Sequence, residues 1–456
     1  MTRTPIDAPT EAPSLTSSLP ARWPLARLPT HATSTTPASR LDLSQLGEQP
    51  ISRHQAYSEL LHADRAASLV HYVDPVEGFS GHLSFAGVGN ALAAGGFRVH
   101  PGLTASTVQR LAGVMALKQR VLGLGVDGAK SGIAYDPRAP GKAAAIRRFF
   151  HFIKPYLLER YSMGPDMGTR WDEIERHARA EGIASVKIAV AAAQELPEGE
   201  VLHRLRRLDE RVGHLTLGER RAGHALAHAA IATLEEVGYP RSSPRVGIQG
   251  FGTLGRAAAA ALVEAGLPVT AVGDEHGCLI ADGGLDVTAL LRRPHHDGTR
   301  TRPRTAGRVA PPDAVFEAVD VLLLAACEDA VDADARNALA AGTRAVVVGA
   351  NLGLSADTEQ WLHDRGVVVV PDFVGGCGGP ASMDALFGPP ARPAADEVLA
   401  RVAGRARALV REVLSLAAAG GVPPREAALR LCAEQDAGRR RPYGDRPHRG
   451  AAEGLR

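Results

Sequence analysis

The sequence predicts an α/β protein of two domains, a mixed α/β domain followed by a doubly wound one, with the last helices packing back. Three observations carry this. The pattern changes near residue 240, where short apolar strands begin to alternate with helical stretches. A glycine-rich turn joins the first of those strands to the helix after it. The chain has 456 residues, 45% apolar and 22% charged, which suits two large cores.

Residues 1–45 are rich in Pro, Thr, Ser and Ala and lack apolar periodicity. They are expected to be a disordered extension and not a secretory signal, which needs a continuous apolar stretch. Residues 46–238 are expected to form the first domain. In it, helical spacing puts Val108, Leu111, Met115, Lys118 and Leu122 on one face. A lysine within such a stripe costs several kcal/mol unless it is paired or opens into a cleft. Lys130 follows in Val126-Asp127-Gly128-Ala129-Lys130-Ser131-Gly132-Ile133, where small neighbours let a ligand approach. Asp166 lies in the Gly-bounded turn Gly164-Pro165-Asp166-Met167-Gly168-Thr169. Alone, such a residue reads as a turn or capping aspartate.

Residues 239–384 are expected to form the doubly wound, Rossmann-type domain. Arg245–Gln249 reads as a buried strand, followed by an Ala-rich helix to about Ala265. Further strands are expected at Val269–Val272 (ending at Asp274), Val321–Leu324, Ala345–Val348 and Val367–Val370. Continuous apolar strands between helices predict a parallel sheet covered on both faces. Residues 385–435, with helices at Asp396–Leu416 and Pro424–Glu434, have no strands of their own and are expected to return to the first domain. Residues 436–456, with Arg439, Arg440, Arg441, Arg446 and Arg449, read as a disordered basic tail.

A glycine-rich turn alone is weak evidence in a chain with 49 glycines. Here Gly250-Phe251-Gly252-Thr253-Leu254-Gly255 follows a strand and opens a helix, and Asp274 ends the next strand. That context is the dinucleotide fingerprint. Gly250 makes the tight turn, Gly252 lets backbone N–H groups reach a pyrophosphate, and Gly255 permits close helix–strand packing. Ala325 and Ala326, after Val321–Leu324, join the expected cofactor-binding set. Asp274 favours NAD by hydrogen bonding a ribose and repelling a 2′-phosphate. NADP is the alternative, because Arg256, Glu275 and His276 adjoin.

The balance of 52 basic and 50 acidic residues speaks against a nucleic-acid or membrane partner. Four scattered cysteines fit neither a disulfide framework nor a zinc module, so a reducing, cytoplasmic setting is expected. His295-His296-Asp297 reads as a polar turn, and no metal is expected. Cys377 reads as a small packing residue.

Gly95-Gly96-Phe97-Arg98, Met115-Ala116-Leu117-Lys118, the Lys130 and Asp166 motifs, the fingerprint, Gly349-Ala350-Asn351, Pro371-Asp372 with Gly378-Gly379, and Val422 to Ala428 occur in a fixed order. In that order the chain resembles the glutamate/leucine/phenylalanine/valine dehydrogenases over about residues 75 to 435. The resemblance implies NAD(P)-dependent oxidative deamination of an L-amino acid to a 2-oxo acid and ammonia, and the reverse reaction. It also implies a homo-oligomer built through the first domain. Lys118 resembles the lysine that binds the substrate α-carboxylate, beside Gly95 and Gly96. Lys130 resembles the catalytic lysine and Asp166 the proton-transfer aspartate. Asn351 resembles an asparagine near nicotinamide and substrate, and Thr216 a threonine near the nicotinamide amide.

The chain departs from the glutamate-specific pattern. Ala94 stands where a lysine, and Met383 where a serine, would hold a side-chain carboxylate. Both changes point to an apolar side chain and to the apolar-substrate branch. Gly376 replaces an asparagine, and Asp127 stands where many members have Gly, which raises the prospect of an unusual substrate or a weakened enzyme. Two alternatives stay open: action on a nonstandard amino or keto acid in specialised metabolism, or a non-catalytic NAD-binding homologue with a regulatory role.

Overall fold

The structure is a computed structural model that describes residues 68–239, 244–293, 307–317, 319–389, 391–434 and 441–444. The extension 1–45, the His295–Asp297 turn and most of the basic tail lie outside the described residues.

Among the described residues, the first domain is built on a five-stranded sheet. Its strands are β1 (Ser68–Val73), β2 (Ser80–Ala86), β3 (Leu92–Val99), β4 (Val126–Ile133) and β5 (Tyr161–Pro165), in the order β1-β2-β4-β3-β5. The β3–β4 and β3–β5 pairs are parallel, which requires crossovers. These are α1 (Ala105–Val121) and α2 (Lys142–Glu159). One face of the sheet is covered by α2 and α3 (Trp171–Ala180), where Phe97, Phe149, Phe150 and Ile174 form a closed core. On the other lies α1, started by the Thr104 hydroxyl accepting the Thr107 N–H. The apolar stripe expected on α1 is present and wider, since Ala112, Val114, Ala116 and Leu117 are buried too. Short helices α4 (Val190–Gln194) and α5 (Glu198–Leu205) and the hairpin β6 (Arg211–Val212) and β7 (Leu215–Thr216) lead into α6 (Leu217–Glu236).

The second sheet contains β8 (Val246–Gln249), β9 (Val269–Asp274), β10 (Gly277–Ile280), β11 (Arg308–Ala310), β12 (Val321–Leu324), β13 (Ala345–Val348) and β14 (Val368–Val370), in the order β11-β10-β9-β8-β12-β13-β14. Between its strands run α7 (Thr253–Glu264), α8 (Val287–Leu291), α9 (Ala333–Gly342) and α10 (Ala356–His363). Val321, Leu323, Ala345 and Val347 join the core that contains α6 and α7 residues. Leu322, Leu324, Val346 and Val348 face the opposite core, with Leu339 and Leu362. Burial on both faces explains the unbroken apolar runs.

The sheet is not all parallel, as the sequence suggested. β10 pairs antiparallel with both β9 and β11. The chain reverses after Asp274 because its carboxylate accepts the His276 N–H and Gly277 adopts φ 157°. Helix α6 precedes the boundary expected at 239, yet its buried face packs on α7, β12 and β13. After α11 (Asp372–Gly375) and α12 (Gly378–Phe387), α13 (Ala395–Gly420) crosses α6 and ends at Gly421 in the left-handed region. Then α14 (Pro424–Glu434) packs on α13, β14 and α1.

The tail needs a correction. Tyr443 is buried, stacks on Phe387 and exchanges hydrogen bonds with Gln194, so residues 442–444 are docked while Arg441 stays exposed. No described helix is long and apolar enough to cross a membrane.

Candidate active site

Strand alternation puts Ala94, Gly96, Lys130 and Gly164 on one face of the first sheet. Ala94 pairs with Gly128 and Phe97 with Ser131, so the same register sets Gly96 opposite Lys130, and Gly96 pairs with Gly164. The bare Cα of Gly96 leaves the space that the lysine fills: a Cβ there would lie 3.2 Å from Lys130 Nζ. At Gly95 a Cβ would strike the Ala129 carbonyl.

Lys130 is 1% exposed, and its Nζ lies 2.9 Å from Asp166 Oδ2. Burial lowers the lysine pKa, Asp166 opposes the shift, and the charge of Arg98 adds to it. The same Oδ2 accepts Arg98 Nε at 2.7 Å. Burial pushes the Asp166 carboxyl up, but Lys130 and Arg98 together outweigh it and hold the group well below the usual carboxylate range. Oδ1 of Asp166 has no hydrogen-bond partner among the described residues. Arg98 also reaches Glu328 Oε1 at 2.5 Å, beyond the end of β12.

Lys118 projects from α1 and is 4% exposed. Its Nζ donates to Asn351 Oδ1 at 2.6 Å, so a residue of the second sheet's loops meets the first domain's lysine. Burial takes its pKa down to about 8; Asp372 opposes the shift and Lys130 adds to it. Burial, more than repulsion between the two lysines, is the cause.

Asn351 sits in a turn whose next residue, Leu352, has φ 55°, a strained position for leucine. Asp372 Oδ2 accepts the Leu352 N–H at 2.8 Å, and Asp372 Oδ1 is held by Arg425 of α14 at 3.0 Å. Arg425 is fixed in turn by both oxygens of Glu359. Gly376 is closely packed in this chain: a Cβ would lie 2.5 Å from Lys118 Nζ and 2.6 Å from the carbonyls of Asp372 and Gly349.

On the cofactor side, β8 lies between β9 and β12, whose connections leave in opposite directions, opening a crevice at the carboxyl ends. Gly250 has φ 95°, and a Cβ on it would lie 2.6 Å from the Ala326 backbone. A Cβ on Gly255 would strike the Gly250 carbonyl. Gly252 caps α7 and Thr253 begins it, so the positive end of the helix lies at the crevice. Phe251 lies beneath Arg256, Leu254 packs on the main core, Ala325 is buried and Ala326 exposed. This backbone cradle, closed to any Cβ, fits a dinucleotide pyrophosphate. Asp274 ends β9 as expected.

Other expected positions have different surroundings. Thr216 is the N-cap of α6, its hydroxyl accepting the Glu219 N–H and donating to the Glu219 carboxylate. Asp127 anchors a loop by accepting the N–H groups of Val88, Gly89 and Asn90. Cys377 is buried, and burial raises its thiol to about 11, so it is no nucleophile. Ala94 is half-buried and Met383 buried, both in the main apolar cluster.

Sequence reasoning missed Arg98, Glu328, Lys187 and Arg221. Arg98 stood inside a quoted motif. Lys187, in Val186-Lys187-Ile188-Ala189, interrupts an apolar run as Lys118 does, and that was the signal available.

Two family models match: Glutamate/Leucine/Phenylalanine/Valine dehydrogenase over residues 217–435, and the Glu/Leu/Phe/Val dehydrogenase dimerisation domain over residues 88–180. A glutamate dehydrogenase of Thermotoga maritima is 28% identical over 67% of this chain and 71% of its own. A hetero-hexameric glutamate dehydrogenase from Thermus thermophilus, in a leucine-bound form, superposes with TM-score 0.68 at 26% identity, covering 86% of this chain and 97% of that one. An L-tryptophan dehydrogenase from Nostoc punctiforme shares the fold at TM-score 0.53 and 15% identity, covering 81% and 95%. The first two likenesses are to glutamate dehydrogenases, so they carry the family and not its apolar-substrate branch. With both family models matched in order over well over half the chain, the protein belongs to the Glu/Leu/Phe/Val dehydrogenases, a family of NAD(P)-dependent amino-acid dehydrogenases.

Proposed function

We propose that the chain catalyses NAD-preferring oxidative deamination of an L-amino acid to its 2-oxo acid and ammonia, and the reverse. The observation that carries this is the buried Lys118–Lys130–Asp166 set beside a dinucleotide cradle. A degraded homologue has little reason to keep two costly buried lysines together with their aspartate.

Lys118 supplies the charge for the α-carboxylate. Its recorded hydrogen-bond partner is an amide oxygen, so it meets an anion without first breaking an ion pair. Asp166 offers Oδ1 to the α-amino group while Lys130 and Arg98 hold Oδ2. The residues of Gly250–Gly255 and Asp274 would hold the cofactor, which when bound takes the hydride from Cα. Lys130, its pKa lowered by burial, acts as base for the water that adds to the resulting iminium carbon and polarises the carbinolamine oxygen. Asp166 returns protons to the departing amine. The dimerisation-domain match and the hexameric relative support an oligomer, here a homo-oligomer.

The side chain is where two readings part. Ala94 and Met383 favour an apolar group; Lys187 opposes that. The test is NAD and NADP reduction at alkaline pH across L-amino acids, nonstandard ones included. We expect turnover with at least one and NAD favoured. A folded, NADH-binding protein that is silent on the whole panel would overturn the reading in favour of a regulatory homologue.

A further inference from the structure

Most buried basic side chains of this protein have an obvious counterpart. Arg98, Lys130, Arg204, Arg220 and Arg425 each meet a carboxylate. Arg256 is held by the carbonyls of Leu290, Leu291 and Arg293. Besides Arg256, three have no carboxylate within ion-pair distance among the described residues: Lys118, Lys187 and Arg221. For Lys118 the proposed function explains this, because the substrate's α-carboxylate is the missing partner. Lys187 calls for the same kind of explanation, while Arg221, like Arg256, is held by neutral oxygens and adds its charge nearby.

Lys187 is 4% exposed. Among the described residues its Nζ makes no hydrogen bond or ion pair, and it lies 5.9 Å from the Trp171 ring centroid. The neighbouring Glu175 is already committed to Ser185, the Val186 N–H and Arg179. Arg221 reaches only the Ser382 hydroxyl at 3.0 Å and the carbonyls of Gly218 and Gly379. It is close enough to Lys187 for its charge to add to the burial that lowers the lysine to about 7. Two like charges together are costly when, among the described residues, no carboxylate lies within ion-pair distance of either and only Glu175, already committed, offsets them.

Their position decides what they serve. A Cβ on Gly164 would lie 4.0 Å from Lys187 Nζ and 3.8 Å from the Gly95 carbonyl. Gly164 pairs with Gly96, whose missing Cβ would lie 3.2 Å from Lys130 Nζ. Two neighbouring bare Cα atoms, about one strand spacing of 4.8 Å apart, thus open toward the reacting lysine on one side and toward Lys187 on the other. Arg221 closes the far end through Ser382, the residue before Met383.

We propose that Lys187, with Arg221 behind it, binds a carboxylate at the end of the substrate's side chain, making the substrate an acidic L-amino acid. The inference rests on the amino-acid dehydrogenase reading. It returns, from the turn that leads into α4, the charge that Ala94 and Met383 removed. Two orphan cation sites then match the two carboxylates of one dicarboxylic substrate.

The test is calorimetric binding of glutarate and of valerate to the full-length protein with NADH, for wild type, Lys187→Met and Lys187→Gln. Glutarate is expected to bind wild type roughly 30-fold or more tightly than valerate, with that preference lost in both variants, as for a desolvated charge pair. NADH affinity should not change. No glutarate preference in wild type, or a preference that survives in the variants, overturns the inference. Failure of the dehydrogenase reading looks different: no amino acid is oxidised, while the glutarate preference still answers for Lys187.

Discussion

Asp166 is pulled by two cations through one oxygen, and that geometry governs what its substitution does. Asp166→Asn keeps the shape but removes the charge that both Lys130 and Arg98 need. We expect kcat to fall at least ~10²-fold, the lower range for a positioned acid–base group, in steady-state assays on the best substrate. Lys187 gives a prediction in stability. Its folded pKa, about 7, lies below the ordinary 10.5, so between these values the unfolded chain binds the extra proton. The folded state is therefore disfavoured at low pH and recovers as pH rises through that window. Lys187→Met should be more stable than wild type at pH ~6.5, with the gap narrowing by pH ~9.5, in denaturant titrations. A constant gap would contradict this.

At the scale of elements, the C-terminal helix α14 positions a residue far from it in sequence. Arg425 fixes Asp372, Asp372 fixes the strained Leu352 turn, and the turn presents Asn351 to Lys118. Arg425→Met strands the buried carboxylates of Glu359 and Asp372. We expect a lower Tm and a KM for the amino acid raised by roughly tenfold, with NADH affinity little changed. Much of this architecture was legible in the sequence. The strands at Val321–Leu324 and Ala345–Val348 and the helix Pro424–Glu434 fall where the apolar patterns set them. The β9–β10 reversal was not, because Asp274-Glu275-His276-Gly277 lacks the Asn-Gly or Asp-Gly pair that marks a tight hairpin. Lys118, Lys130 and Asp166 were legible as motifs. Lys187 showed only as a lysine interrupting an apolar run; that no carboxylate among the described residues lies within ion-pair distance of it is a fact of packing that no local pattern carries.

For the whole molecule, Arg98 couples the two sheets, bonding Asp166 on one side and Glu328 after β12 on the other. Cofactor binding on the second sheet therefore bears on the reacting groups of the first. NADH at a hundredfold its Kd should stabilise the folded chain by about 2.7 kcal/mol, read as a rise in Tm. NADPH at equal concentration should give less, because a carboxylate at the end of β9 would repel a 2′-phosphate. Equal shifts would remove Asp274 from cofactor choice. The central claim, that Lys130 is the acid–base group of an amino-acid dehydrogenase, is tested most directly by kcat of Lys130→Ala on the best amino acid, with NADH binding followed by fluorescence in the same preparation. The account predicts kcat reduced at least ~10²-fold with NADH affinity unchanged; near-wild-type kcat in that variant would contradict it.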